Sequence, residues 1–501
     1  MKITFVYPDF ESLGVAYLMA ACRQAGYEVE LVFYFSGKSL LDLKKKQRNG
    51  FTNVAKQVAA TKPHFVAFSC VTDNYSAQLS CAKAIKEIVP ELITIFGGFH
   101  VTAVPDIVIK EGAVDCIAIG EAENSFINFL KACRVEKKVF LPEHQINGVV
   151  FKQRNNLIGE FKEGELADLD SLPFPYKKPF FDSIKFLSSY YSIMTSRGCP
   201  YNCSYCFNNY IHSMRGGRNV RQREVDNVIS ELIHAKNEFS LKYICFVDDC
   251  FTTNEAWLLE FCHKYKKEVN LPFYCITISN YLNKTKVDAL RAAGCYYVQI
   301  GVQSLNEDFC KNVLMRRSDN KKIAEAIIML NDVGILTVID HMLGIPGDTI
   351  KNQEEAVMFY NQFRPKLINL FYLSYFPKTK ITEMAFNKGI LNTQDIDDIN
   401  KGLKPYNLSL DKKSVKEHDI FQGIDLLLRY LPFLPSRFVR FIIVNKIYNK
   451  FAIKNKSPFF ILATFAGFLK LIFQRKNIVH RQYFFLFLSK FFLSKKIVCK
   501  K

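Results

Sequence analysis

Twice along this chain, short apolar runs alternate with longer stretches of helical spacing, and that rhythm limits the fold to parallel α/β sheets. The first series runs from Lys2–Tyr7 through Glu28–Phe35, Pro63–Cys70, Leu92–Phe96 and Val114–Ile119. Gly14–Ala25 and Ser76–Ile85 carry helical spacing between them. The second series runs through Ser192–Thr195, Tyr243–Val247, Phe273–Ile278, Tyr296–Val302 and Thr337–Leu343, with Glu224–Lys236 as a helical segment. The expected class is α/β, with an N-terminal doubly wound parallel sheet over 1–135 and a linker over 136–189. A second βα module follows over 190–365, its C-terminal part over 366–425, and a helical extension over 426–501. At 501 residues the chain is too long for one ordinary domain. In doubly wound sheets and in βα barrels alike, ligands sit beyond the carboxyl ends of the strands. In the first module those ends are Ser69–Tyr75, Gly97-Gly98-Phe99-His100 and Gly120-Glu121-Ala122-Glu123.

The first strand of the second module leads into Arg197-Gly198-Cys199-Pro200-Tyr201-Asn202-Cys203-Ser204-Tyr205-Cys206-Phe207. Soft thiolates spaced C-x3-C-x2-C hold three irons of a four-iron, four-sulfur cluster and leave the fourth iron without a protein ligand. A zinc site or three unrelated core cysteines are the alternatives. Zinc usually takes four ligands, and no paired C-x2-C or H-x3-5-H follows here. The other cysteines, among them Cys116, Cys245, Cys275 and Cys295, lie within or beside apolar runs as small core residues. The N-terminus turns polar at Pro8-Asp9 and lacks a signal-peptide core. A reducing cytoplasm, which an oxygen-labile cluster needs, is the expected location.

At Cys199, Cys203 and Cys206, with the aromatic Tyr205, the chain resembles the radical S-adenosylmethionine (SAM) superfamily. The resemblance implies a partial (βα)6 barrel and an open iron that chelates SAM. Reductive cleavage would then give a 5′-deoxyadenosyl radical, with the hard chemistry carried by the cofactors. It further implies an external electron donor of the flavodoxin or ferredoxin kind. Asp248-Asp249-Cys250-Phe251 stands where the superfamily has a Gly-Gly-Glu-like element near the methionine amino group. A carboxylate there accepts hydrogen bonds from an ammonium, and a pair of helix-capping aspartates is the plain alternative. Gln303 and Ser304, in Gly301-Val302-Gln303-Ser304, resemble the fourth-strand motif that reaches the ribose and carboxylate. Arg317 resembles the basic residue that follows that motif; a solvated surface arginine is its alternative. Gly344 and Pro346, in Gly344-Ile345-Pro346-Gly347, resemble the motif against which adenine lies, although alone it is an ordinary turn. His341 reads as a satisfied core histidine. Tyr201, Tyr205, Phe207 and Tyr210 would exclude water around the cluster.

The N-terminal module resembles the cobalamin-binding domain that precedes many such barrels. Gly14, Ser69, Thr72, Gly97, Gly98, His100, Gly120 and Glu121 would then face the corrin, the paired glycines allowing close approach of the backbone. The Asp-x-His-x-x-Gly motif that supplies a lower histidine ligand is absent, so the likeness is to the subgroup that binds cobalamin without it. A domain that keeps the fold and holds no ligand is the alternative. Taken together, residues 1–365 resemble the anaerobic magnesium-protoporphyrin IX monomethyl ester cyclase group. The function this implies is hydrogen abstraction from an unactivated carbon, followed by methyl transfer from methylcobalamin. Cyclisation or oxidation without methyl transfer is the runner-up. A methylthiotransferase would need a second cluster, and Cys22, Cys70 and Cys81 fall inside elements instead. A non-catalytic cofactor carrier would not need Gln303 or Gly344–Gly347.

Charge is concentrated at the C-terminus. Of the net +19, residues 426–501 carry sixteen Lys and Arg and no acid, leaving +3 for the rest. Phenylalanines such as Phe438, Phe441, Phe459 and Phe484 interleave with these bases. The longest charge-free stretch, 457–469, falls short of the roughly twenty residues of a membrane span. An amphipathic surface on an anionic membrane is the expected partner, with a hydrophobic or lipid-like small-molecule substrate. Nucleic acid ranks second, because tyrosine and arginine are scarce there.

Overall fold

The computed structural model describes residues 1–34, 50–403 and 415–450, except Arg134, Lys137, Phe140, Leu141, Glu143, Arg154, Asn155, Lys185 and Phe186. The first sheet contains β1 (Lys2–Pro8), β2 (Glu28–Tyr34), β3 (Phe65–Ser69), β4 (Ile93–Gly97) and β5 (Cys116–Ala118), all parallel, in the order β2-β1-β3-β4-β5. β1 and β3 are almost wholly apolar because α1 (Leu13–Gln24) and α5 (Glu123–Ala132) cover one face. α2 (Gly50–Thr61) and α3 (Thr72–Ile88) cover the other, and α4 (Phe99–Ala103) follows β4. Chain order reverses between β1 and β3, and a crevice opens at the strand ends there.

Two further strands, β6 (Val149–Gln153) and β7 (Asn156–Ile158), extend this sheet antiparallel from β5. They fall inside the expected linker, and the turn-rich composition downstream hid them. Val149, Val150 and Phe151 are buried and bring the segment into the core.

The second sheet is six parallel strands in sequential order: β8 (Tyr190–Ile193), β9 (Tyr243–Phe246), β10 (Phe273–Thr277), β11 (Cys295–Gln303), β12 (Leu336–Leu343) and β13 (Leu367–Tyr372). β8 and β13 do not pair, so the barrel is open on one side. Its sixth strand lies beyond the expected boundary at 365. The helices after β8 to β12 are α6 (Phe207–Met214) with α7 (Val225–Glu238), α8 (Glu255–Glu268), α9 (Lys284–Ala293), α10 (Asn320–Asp332) and α11 (Ile350–Phe363). Asn254, Asn283, Asp319 and Thr349 cap α8 to α11 by accepting from a backbone N–H of the first turn. After two short helices, α12 (Val415–Tyr430) and α13 (Ser436–Val444) follow, and α13 buries Val439, Ile442 and Ile443 against the barrel. The aromatic stretch 451–501 lies outside the described residues.

Candidate functional site

The cysteine loop leaves β8 and is closed at its base by a two-residue ribbon, Ser196–Arg197 against Arg221–Gln222. Asp248, at the end of β9, pins the start of this loop. Its Oδ1 accepts from Thr195 N at 2.9 Å, Thr195 Oγ1 at 2.8 Å and Ser196 Oγ at 2.7 Å. Burial raises the Asp248 carboxyl to about 6 despite those donors, and Oδ2 has no partner. Asp248 is thus turned into the loop. Asp249 instead lines the open cavity below, accepts from Asn208 Nδ2 at 2.9 Å, and is raised by burial.

Cys199, Cys203 and Cys206 meet in one cluster with Tyr201, Tyr205, Cys250, Ile278 and Tyr281. Among the described residues every cysteine is free, and only Cys199 and Cys206 escape full burial. Burial pushes the Cys199 thiol up and that of Cys206 up to about 11, so filling the site must displace protons. Among the described residues no three His, Cys, Asp or Glu side chains converge on one ion. Three thiolates gathered in one place suit a four-iron cluster with one iron left open, whereas a structural zinc takes four protein ligands.

Arg316, 6% exposed, donates from Nη1 to Cys203 Sγ at 3.4 Å and from Nη2 to Gly301 O, with its guanidinium 5.0 Å from the Tyr201 ring centre. It joins the cluster loop to the carboxyl end of β11. Gln303 sits at a register shift in β11 with φ +71°, and its Nε2 reaches back beside Gly301 and Arg316. Ser304 is buried. Its hydroxyl accepts from Asn306 N, so it works locally in the turn. Gly344 and Pro346 are buried at the end of β12, next to the apolar cluster of Leu314, Met342 and Ile345 against which Tyr205 packs. Arg317 is exposed, near enough to Tyr281 to act on its phenol. The sequence pointed to Arg317, whereas the buried arginine beside the cluster is its neighbour. Nothing in a pair of adjacent arginines says which one turns inward. His341 is buried between Tyr360 OH at 2.9 Å and Gln353 Oε1 at 2.9 Å, a satisfied core histidine.

A cavity of roughly 430 Å³ lies between the two modules, within the usual size of ligand sites. Gly14, Ser69, Gly97, Gly98, Gly120 and Glu121 line it from the first sheet, and Arg197, Gly198, Asn208, Arg215, Val247 and Asp249 from the barrel. Gly98 has φ +93°, and a Cβ there would lie 2.6 Å from Cys70 O, so only glycine keeps this wall flat. Thr72 and His100, expected to face the ligand, do not line the cavity. His100 is buried over the Tyr75 ring, its Nδ1 3.1 Å from Thr72 Oγ1, and burial lowers its pKa to about 4. The turn of α4 that sends His100 inward leaves Phe99 on the cavity wall, 58% exposed and 5.0 Å from the Phe207 ring. A mostly apolar, glycine-floored slot at the strand ends fits a large flat ring.

Glu121 is held by three arginines. Arg197 Nη1 donates to it at 2.5 Å, Arg215 Nη2 at 2.9 Å, and Arg221 Nη2 also donates. Burial opposes its ionisation, and the guanidiniums outweigh burial and hold its carboxyl at about 2. These partners lie 76 to 100 residues away. No local signal could have found them.

Comparisons with known proteins agree with both modules. A family model described as the B12 binding domain matches residues 3–130, and one described as the radical SAM superfamily matches residues 193–360. An uncharacterized methyltransferase of Pyrococcus horikoshii is 24% identical over 411 residues, covering 79% of this chain and 85% of that protein. The anaerobic magnesium-protoporphyrin IX monomethyl ester cyclase of Cereibacter sphaeroides is 23% identical, covering 76% of this chain and 63% of its own length. The solved structure of the radical SAM methyltransferase TsrM from Kitasatospora setae, with cobalamin and [4Fe-4S] cluster bound, shares the fold. Its TM-score is 0.62 at 15% identity, covering 77% of this chain and 78% of that one.

Proposed function

This chain is a radical SAM enzyme with an N-terminal B12-binding domain, and from that premise we propose that it methylates an unactivated carbon of a hydrophobic small molecule. The observation that carries the reading is the shared cavity, whose walls come from the glycine-rich strand ends of one domain and the cysteine loop of the other. Relatives with similar sequences include a hopanoid C-3 methylase of Methylococcus capsulatus and a cytidylyl-2-hydroxyethylphosphonate methyltransferase of Streptomyces wedmorensis. The unlike substrates in those names leave the substrate to be argued from this cavity. Phe5, Leu18, Ala67, Phe68 and Val71 on its walls support an apolar one.

Cys199, Cys203 and Cys206 would hold the cluster. Asp249, Gln303 and Arg316 would orient SAM, Arg316 in the place expected of Arg317, with Gly344 and Pro346 against the adenine. Tyr205, packed beside Met342 and Ile345, would help to exclude water from the cluster. Gly14, Ser69, Gly97, Gly98, Gly120 and Phe99 would flank the corrin. When bound, the cluster and SAM supply a hydrogen-abstracting radical and cobalamin supplies a methyl carrier. The protein's own part is to exclude water and hold the reacting groups together. A one-electron donor outside the chain is required. The basic, acid-free segment from Leu426, with Phe438 and Phe441 exposed beside Arg437 and Arg440 on α13, supports docking on an anionic membrane where an apolar substrate partitions.

The test supplies SAM, reductant and candidate apolar extracts and follows two products. Methyl transfer forms S-adenosylhomocysteine and 5′-deoxyadenosine in equal amounts per turnover. Substrate-dependent deoxyadenosine without S-adenosylhomocysteine would replace methylation with the cyclase or oxidase reading.

A further inference from the structure

The arginines that frame the cysteine loop do not belong to either cofactor wall alone. Arg197, two residues before Cys199, bridges Glu121 at 2.5 Å, on the loop after β5, and Glu123 at 2.7 Å, the first residue of α5. Arg215, just past α6, grips Glu163 through Nε at 2.7 Å and Nη2 at 2.6 Å, and reaches Glu121 with the same Nη2. Glu163 in turn accepts from Glu121 N at 2.9 Å. Arg221 lies directly across the ribbon from Arg197 and also donates to Glu121. All of these side chains are less than a fifth exposed. Two guanidiniums opposed across a ribbon repel unless an anion lies between them. Glu121 is that anion.

We propose that Arg197 and Arg215 are positioning residues, which lock the cysteine loop to the Gly120–Glu123 loop and so set the separation at which the two cofactor sites work together. The inference rests on the two-cofactor reading above. Forked, bidentate pairs give geometric specificity as well as attraction, which a single contact would not. Gly120 has φ +73°, and any Cβ there would collide with Glu163, so the loop is built to seat against its clamp. The barrel's own fold is anchored elsewhere, through Asp248 and the strand ladder. Loosening the clamp should therefore change how the sites are coupled before it changes whether each one forms.

The experiment uses the full chain, reconstituted anaerobically with iron, sulfide and cobalamin, as wild type, Arg197→Gln, Arg197→Lys and Arg215→Gln. Two readouts are taken. The first is the electron-spin dipolar coupling between cob(II)alamin and the reduced cluster, which reports separation without turnover. The second compares S-adenosylhomocysteine with 5′-deoxyadenosine when SAM and a strong reductant are added. In the former reaction the methyl leaves the sulfonium without electrons, and the two-electron-reduced cobalt supplies the pair that binds it.

The expected result is normal iron content for both Gln variants, with deoxyadenosine reduced far less than S-adenosylhomocysteine. The spin coupling broadens, and S-adenosylhomocysteine falls by at least about tenfold, the size of effect a sub-ångström to ångström displacement gives. Arg197→Lys, which keeps the charge but not the fork, falls between. Unchanged coupling and unchanged S-adenosylhomocysteine in both Gln variants would overturn the inference. Failure of the wild type to bind cobalamin would overturn the two-cofactor reading instead. If Arg197→Gln does not fold, Arg215→Gln, one helix removed from the cysteines, decides the question by the same readouts.

Discussion

Two buried charged side chains near the cysteines do unlike work. Asp248 is a structural acid whose burial lifts its carboxyl from 3.8 to about 6. An acid with a raised folded-state pKa stabilises the fold below its unfolded pKa, and that contribution is lost as pH rises through about 6. Between about pH 4 and 6 the protein should therefore lose on the order of 3 kcal/mol. Asp248→Asn keeps the accepting Oδ1 and cannot ionise, so its thermal midpoint should vary less over that window. A parallel pH dependence in the two proteins would contradict the assignment. Arg316 touches Cys203 Sγ and Gly301 O, while Arg317 is exposed. Arg316→Gln should lower deoxyadenosine formation by about tenfold or more, the cost of removing a buried charged donor. Arg317→Gln should stay within about twofold, as surface charges do. Equal losses would show that both guanidiniums reach SAM. The cysteine spacing was legible because its chemistry is local. The inward arginine was not, because Met315 takes a left-handed turn, φ +51°, that decides which neighbour faces the cluster.

At the scale of elements, the loops after β3, β4 and β5 converge because parallel strands deliver all their carboxyl ends to one edge. That rule is readable from the strand order, and it puts Ser69, Gly97, Gly98 and Gly120 at the strand ends, where they line the cavity. It does not tell which side of a helix faces the cavity. The single turn of α4 sends His100 to Thr72 and Phe99 to the wall. Phe99→Ala should therefore weaken cobalamin binding several-fold in equilibrium titration, while His100→Ala lowers thermal stability and leaves the affinity within about twofold. The reverse pattern would return the histidine to the ligand. β6 and β7 escaped the sequence reading for a related reason. They pair antiparallel at the sheet edge, where neither helices nor a long apolar run announce them.

The whole molecule joins two α/β modules through buried charge as well as apolar packing. Lys177, in the connecting segment, pairs with Glu11 of the first module at 2.7 Å and lies 3.8 Å from the Tyr191 ring centre in the second. Such long-range pairings set how one sheet edge meets the other, and sequence periodicity carries no trace of them. The basic end of the chain adds a surface property. Among the described residues no helix is long and apolar enough to cross a membrane. With Phe438 and Phe441 exposed on α13, the protein should co-sediment with anionic vesicles and not with zwitterionic ones, and release as salt rises. Salt-insensitive binding to both would point to apolar insertion instead. Most directly, the central claim is tested by anaerobic reconstitution with iron, sulfide and hydroxocobalamin, followed by absorption and electron-spin spectra and a deoxyadenosine assay with SAM and dithionite. The structure predicts one four-iron cluster and one tightly held cobalamin per chain, with deoxyadenosine that disappears in Cys203→Ala. A cluster with no bound cobalamin, or deoxyadenosine that survives loss of Cys203, would contradict it.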